Sequence, residues 1–417
     1  MSAKQNKGPI FVVGCPRSGT SILTWCLGQH ANILPQEESG WLGEFAVSLG
    51  VQFKAGTLHG QRSQLIALGV DDAAFFQAFG DCTNAMILGH RFRQECISKD
   101  CSKRDPSQIH QAFNISRSIE EPKSRWVDGT PEYSYYITGL RKLFPDAKFV
   151  HIVRNVRCVV DSMLNFRMGN GRPLVKTEQQ AYEYWLGTVQ ACIRAEHAYG
   201  PQVVHRLRYE DLVKRSEWAI RGVLDFLNEP YMDTCLQPLA SRINSSNVPA
   251  GFKRCDPQTD VAVINHALQL NEQLQQENRS LPISGSALTQ MNKDFSKRVA
   301  FMAELDIEYA AGQHKVAALT KRLNWCGVVL TANFLMASIC FCTLWLTTWF
   351  TSLSQIALWL LTASASIGGY IVIRRAGLRN YGLRLLRQCH WRNGYSHGPS
   401  QAQVNSVLTQ DLGVKKM

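Results

Sequence analysis

The chain alternates short runs of consecutive apolar residues with longer stretches in which apolar positions recur at helical spacing. Ile10-Phe11-Val12-Val13 and Phe149-Val150-His151-Ile152-Val153 are nearly uninterrupted and rich in β-branched side chains, the pattern of strands buried on both faces of a parallel sheet. Each run ends in polar, turn-forming residues, and a helical pattern follows. One such helix is predicted from Gly19 to about Gln29, and another contains Val159, Val160, Met163 and Leu164. Apolar helical patches also fall at 45–49 and 72–79, while Pro35-Gln36-Glu37-Glu38-Ser39-Gly40 reads as a polar turn. Strands alternating with helices predict an α/β fold.

After residue 259 the pattern changes. Gln, Asn, Glu, Ala and Leu dominate up to residue 322, with Ala267, Leu268, Leu270 and Leu274 at helical spacing, which predicts a helical connector. Residues 324–373 contain no Asp, Glu, Lys or Arg. Within them, 325–346 and 354–373 are two apolar stretches, each near the ~20 residues that span hydrocarbon. An uncharged polar turn separates them, so a transmembrane helical hairpin is expected. Lys321 and Arg322 flank it on one side and Arg374, Arg375, Arg379, Arg384 and Arg387 on the other. The positive-inside rule puts both ends in the cytosol.

Composition sharpens this division. Of the net charge of +12, much lies beyond the apolar block, where residues 374–417 hold eight Lys and Arg against one Asp. That placement favours an anionic lipid surface over nucleic acid as partner. The 13 cysteines show no C-x2-C pairs and no Cys/His ligand spacing, which speaks against a disulfide framework and a zinc site. Residues 1–9 are polar and lack a signal peptide's apolar core. The expectation is a multi-pass membrane protein whose catalytic domain faces the cytosol.

The chemistry starts at Gly14-Cys15-Pro16-Arg17-Ser18-Gly19-Thr20-Ser21. Two glycines let the backbone turn tightly, so that successive N–H groups and the next helix N-terminus converge on one anion. Arg17 adds a fixed positive charge, and Thr20 and Ser21 add hydroxyls. The Gly-x4-Gly spacing matches the start of a nucleotide triphosphatase loop, but Thr20 stands where that loop requires Lys. Arg154, at the end of the second strand, and Ser162, inside the helix that follows, form a second candidate anion site.

The Pro-Arg-Ser-Gly-Thr-Ser loop after a buried strand resembles the 5′-phosphosulfate loop of sulfotransferases. The resemblance covers roughly residues 8–255 and implies a P-loop-like parallel sheet flanked by helices, with 3′-phosphoadenylyl sulfate as donor and no metal. By the same resemblance Arg17, Ser18, Gly19, Thr20 and Ser21 hold the donor's 5′ end, and Arg154 with Ser162 clamps its 3′-phosphate. In the tyrosylprotein branch the catalytic Glu lies in a Glu-Glu pair at the same distance after the loop. This implies Glu38 as general base, with Glu37 as fallback, and Arg17 as a catalytic partner. His30, at an intermediate position shared with that branch, reads as a capping or core histidine.

Three further segments carry the resemblance. Arg125-Trp126-Val127-Asp128-Gly129-Thr130-Pro131 is similar to a family strand-turn motif, except that Gly129 stands where a Lys that holds the sulfuryl oxygens is common. The expectation is that Arg17 or Arg125 substitutes, or that activity is weak. The segment 203–213 resembles the family's late strand followed by Tyr-Glu-Asp-Leu, with Tyr209 against the adenosine and an amphipathic helix over 218–227. Ser246 and Lys253 resemble residues that close over the nucleotide.

The expected organisation is a sulfotransferase domain at 1–258, a connector at 259–323, two membrane helices at 324–373 and a basic cytoplasmic tail at 374–417. The acceptor is expected to bear a hydroxyl, on a glycan, lipid, tyrosine or small molecule, and membrane lipids are the other expected partner. A P-loop nucleotide phosphotransferase and an inactive membrane scaffold of the same fold are the alternatives.

Overall fold

The structure is a computed structural model that describes residues 7–100, 123–169, 171–240, 248–249, 252, 256–276, 283–348 and 364. In chain order its strands are β1 (Ile10–Val13), β2 (Ile33–Gln36), β3 (Arg125–Asp128), β4 (Lys148–Val153) and β5 (Val204–Arg208). The helices are α1 (Thr20–Gly28), α2 (Trp41–Thr57), α3 (Gln64–Ala67), α4 (Asp72–Asp100), α5 (Ile137–Leu143), α6 (Val156–Leu164), α7 (Glu178–Tyr199), α8 (Tyr209–Lys214), α9 (Ser216–Leu227), α10 (Val261–Gln276) and α11 (Gly285–Thr348).

All pairings in the sheet are parallel, in the order β2-β3-β1-β4-β5. Strand β1 is central because all four of its side chains can be buried. Phe11 and Val13 face one layer, with Trp126, Tyr133, Phe149 and helices α2 and α5. Ile10 and Val12 face the other, with Leu23 and Leu27 of α1 and Ile220, Val223 and Leu224 of α9. Phe11 meets Trp126 edge-on at 5.4 Å and stacks on Phe149 at 5.3 Å, geometry worth about 0.5–1.5 kcal/mol per pair beyond burial.

Strand β2 was not legible as a strand. Pro35 interrupts the apolar run, yet its missing N–H is tolerated because β2 is the sheet's edge. The ring is buried against Gly28, where an added Cβ would lie 2.7 Å from Pro35 Cβ.

The first compact unit runs to Glu308, past the expected boundary at 258. Ala267 and Leu274 of α10 are buried with Val160 of α6 and Trp185 of α7, and Asn271 Oδ1 accepts from the first N–H of α6, at Val156, at 3.1 Å. The start of α11 packs Phe295 against the Phe11 layer. The second unit begins at Tyr309. There α11 exposes Trp325, Phe334, Leu335, Met336, Ile339 and Trp345, and by length and composition this helix can cross a membrane. The expected second helix, at 354–373, lies outside the described residues apart from Ser364, so no hairpin is seen. The basic tail lies outside them as well.

A buried ionic cluster braces the strand that leads to Arg154. His151 on β4 sits opposite Arg206 on β5, and both contact Glu196 of α7, His151 Nδ1 at 2.6 Å and Arg206 Nε at 3.1 Å. Burial disfavours charge on the imidazole, but Cys192 and Glu196 outweigh it and push its pKa up to about 9. Burial likewise opposes the Glu196 carboxylate, and its hydrogen bonds to His151 and Arg206 bring it down to about 2. A group raised in the folded state stabilises it fully below its unfolded pKa and ceases to do so as pH rises through the folded value. The melting temperature is therefore expected to fall between pH 7 and pH 9. Glu196→Gln should flatten that slope and cost about 3–5 kcal/mol by leaving buried cations uncompensated; thermal denaturation across pH measures both.

Candidate active site

Residues 14–19 link β1 to α1 through backbone that only small side chains permit. Gly14 has φ 144° and Gly19 has φ 103°. A Cβ on Gly14 would lie 2.4 Å from the Ile152 carbonyl oxygen, and one on Gly19 would lie 2.5 Å from the Tyr209 ring. Between them Arg17 adopts φ 72°, a left-handed conformation that costs a residue with a Cβ roughly 1–2 kcal/mol. It is held by Arg154, whose Nη1 donates to the Arg17 carbonyl at 3.0 Å.

This turn leaves a buried hydroxyl without an acceptor among the described residues. Gly19 is the N-cap of α1 and offers no side chain to its first-turn N–H groups. Ser18 is 1% exposed, and among the described residues its hydroxyl has no hydrogen-bond partner. A buried hydroxyl beside a bare helix N-terminus fits a phosphate-bearing ligand.

The second anion site adjoins the first. Arg154 follows β4, and its guanidinium lies 4.4 Å over the Tyr209 ring. Asn155 caps α6 by accepting from Arg157 N at 3.0 Å, which fixes the helix that carries buried Ser162. Arg17 Nε donates to Ser162 Oγ at 3.1 Å, and its guanidinium lies 4.1 Å over the Phe166 ring. Ser162, expected with Arg154, thus also bonds Arg17 and joins the two sites. Phe166 had no signal in the sequence, since any aromatic just past a helix reads as core. Burial and the charge on Arg154 both lower the pKa of Arg17, while Glu38 raises it. A bound anion relieves that repulsion.

Across the start of α1, Ser21 Oγ donates to Glu38 Oε1 at 2.9 Å. Surrounding protein raises the Glu38 pKa, the Ser21 bond opposes this, Glu132 and Asp128 raise it further and Arg17 lowers it. Because the residue is exposed, water moderates the shift. The direction suits a base that works near neutral pH. His30 is fully buried, with Nε2 donating to the Pro230 carbonyl at 2.9 Å and Nδ1 accepting from Asn32 N at 3.0 Å; it is a neutral structural histidine.

One expectation is corrected here. Arg125 does not stand in for the family Lys, because it opens β3 at the opposite edge of the sheet, where it is 2% exposed and donates to the Gly8 and Leu227 carbonyls at 3.0 and 2.9 Å. Gly129 is explained sterically: a Cβ there would lie 2.1 Å from Thr24 Oγ1, a hydroxyl tied to the Thr20 carbonyl at 3.0 Å. Thr20 itself is buried. Ser246 and Lys253 lie outside the described residues.

A parallel sheet whose strand ends carry a glycine cradle, two arginines and a carboxylate is an arrangement suited to a phosphate-bearing ligand. Residues 9–233, more than half of the chain, match the profile of the sulfotransferase family, and the chain belongs to that family. It is 24% identical over 242 residues to protein-tyrosine sulfotransferase A of Caenorhabditis elegans, covering 57% of this chain and 55% of that protein. To protein-tyrosine sulfotransferase 1 of Danio rerio it is 25% identical over 231 residues, 54% of this chain and 55% of that one. The chain spans about half the length of these curated relatives. Among solved structures, the sulfotransferase domain of the Synechococcus PCC 7002 olefin synthase aligns with 70% of this chain and 96% of its own, at 17% identity and a TM-score of 0.34; at that score the alignment adds nothing to the assignment.

Gly129→Ala is expected to destabilise the protein by about 1–3 kcal/mol through overpacking against Thr24. Thr24→Ala in the same chain should recover part of the loss. Denaturant unfolding of the two variants measures it.

Proposed function

We propose that this protein transfers a sulfuryl group from 3′-phosphoadenylyl sulfate to the hydroxyl of an acceptor. The observation that carries the reading is the convergence of Arg17, Arg154, Ser162 and the buried Ser18 hydroxyl on one side of the α1 N-terminus, with Glu38 hydrogen-bonded to Ser21 of that helix's first turn. In this reading the loop N–H groups, Ser18, Thr20 and Ser21 hold the 5′ end of the donor. Arg154 and Ser162 hold its 3′-phosphate, and Tyr209 borders the nucleotide. Arg17 neutralises charge on the sulfuryl and leaving phosphate oxygens. Glu38 takes the acceptor proton as the new O–S bond forms and the bond from sulfur to the bridging phosphate oxygen breaks. The residues act by positioning and electrostatics.

The names of the relatives support a hydroxyl-bearing acceptor, with a protein tyrosine as the first to test. The apolar half of α11 supports association with a membrane. The basic flanks at Lys321, Arg322 and the run from Arg374 support a cytosolic position for the site. The alternative of a P-loop phosphotransferase finds no cation at Thr20, which is buried within α1.

Incubation with radiolabelled donor and a cell-envelope extract tests the assignment, and labelled product is the expected result. Glu38→Gln should keep affinity for adenosine 3′,5′-bisphosphate and stop transfer, whereas full activity in that variant would move the base to Glu37. Arg17→Ala should lower the rate by about 10²–10³. Because Glu38 works ionised and its pKa is raised, kcat should fall as pH drops through a midpoint above the ordinary glutamate range.

A further inference from the structure

We infer that Asp128 is the positioning residue for Glu38: it terminates a directed hydrogen-bond chain that fixes the backbone immediately after the base. The inference rests on Glu38 being the base. Asp128 closes β3 and is 2% exposed. Its Oδ1 accepts from the Thr130 N–H at 2.9 Å and the Thr130 hydroxyl at 2.6 Å, and its Oδ2 accepts from the Ser39 hydroxyl at 3.2 Å. Thr130 Oγ1 in turn accepts from Ser39 N at 3.0 Å and Gly40 N at 3.4 Å. Tyr133 OH lies 3.0 Å from Ser39 Oγ and accepts from Leu42 N at 3.3 Å.

Counting protons gives the chain a direction. Each hydroxyl has one hydrogen. Thr130 and Ser39 spend theirs on Asp128, so Tyr133 must donate to Ser39. The backbone N–H groups of residues 39, 40 and 42 all feed hydroxyls whose protons lead to one carboxylate. An ionised Asp128 satisfies every member as an acceptor. A protonated one, or an amide in its place, has a donor where the chain needs an acceptor, and one hydroxyl must turn away.

The carboxylate also acts through its charge. It is among the groups that raise the Glu38 pKa. Its own pKa is pushed up to about 6 by burial, against the Thr130 and Ser39 bonds. The groups that face Asp128 are Tyr133 and Ser39, Glu38 and Thr130, with Gln36 and Phe11 beside it in register on β2 and β1.

The test uses the full chain and the Asp128→Asn variant, with Thr130→Val as a second variant that removes the Thr130 hydroxyl and leaves Asp128 ionised. Affinity for adenosine 3′,5′-bisphosphate is measured by calorimetry, transfer by kcat and donor KM, and the Glu38 carboxyl by carbon-13 NMR titration, assigned through Glu38→Gln. The expected result for Asp128→Asn is unchanged bisphosphate affinity and donor KM, a kcat lowered on the order of 10²-fold, and a lower Glu38 midpoint. Thr130→Val should lower kcat with bisphosphate binding intact, and Thr130→Ser should restore it. Wild-type kcat with an unmoved Glu38 midpoint in Asp128→Asn would overturn the inference. Loss of bisphosphate binding in parallel with activity in both variants would overturn it too, by showing a general structural role. If the wild-type chain transfers nothing, the sulfotransferase reading fails, while the NMR midpoint still decides whether Asp128 acts on Glu38.

Discussion

Strand β1 is hydrogen-bonded on both sides, to β3 and to β4, and this pairing is the constraint from which the site follows. Because all three strands run the same way, their C-terminal ends meet at one edge of the sheet. The loop after β1, the Asp128-Gly129-Thr130 turn after β3 and the Arg154 turn after β4 are neighbours there for that reason alone. The pairing in turn requires β1 to be apolar on both faces, which Ile10 to Val13 satisfy. A polar side chain anywhere along it would have to be buried without a partner.

The edge so assembled is costly, and the cost points to a ligand. Arg17 is held in left-handed backbone, two guanidinium groups share one region, and among the described residues a buried serine hydroxyl has no partner. Such features are retained where they serve binding or catalysis. Stability comes from elsewhere, from the aromatic layer around Phe11, the aliphatic layer under α9 and the His151-Glu196-Arg206 cluster. The contacts that hold the fold and the strain at this edge are carried by different residues.

Much of this was legible before any coordinates. β-branched runs announced β1 and β4, glycines announced the turn, and resemblance to a family's motifs marked Arg17, Arg154, Ser162, Tyr209 and Glu38. What escaped depended on spatial neighbours. Pro35 concealed an edge strand because nothing in a sequence says which strand lies at the edge. Arg125 looked available as a cation until its position at the start of β3 put it at the wrong end of the sheet, tied to main-chain carbonyls. At Gly129 nothing in the sequence hinted at the close approach of α1 that leaves no room for a Cβ there. The chain from Leu42 to Asp128 crosses nearly ninety positions of sequence, and no local pattern encodes it.

The central claim is that Arg17 and Arg154 grip opposite ends of one bisphosphorylated ligand. Calorimetric titration of adenosine 3′,5′-bisphosphate into the wild-type chain, Arg17→Ala, Arg154→Ala and the double variant tests it directly. The account predicts that each single change weakens binding and that the double variant binds more weakly than either, because one ligand touches both guanidinium groups. Undiminished affinity in either single variant would contradict it.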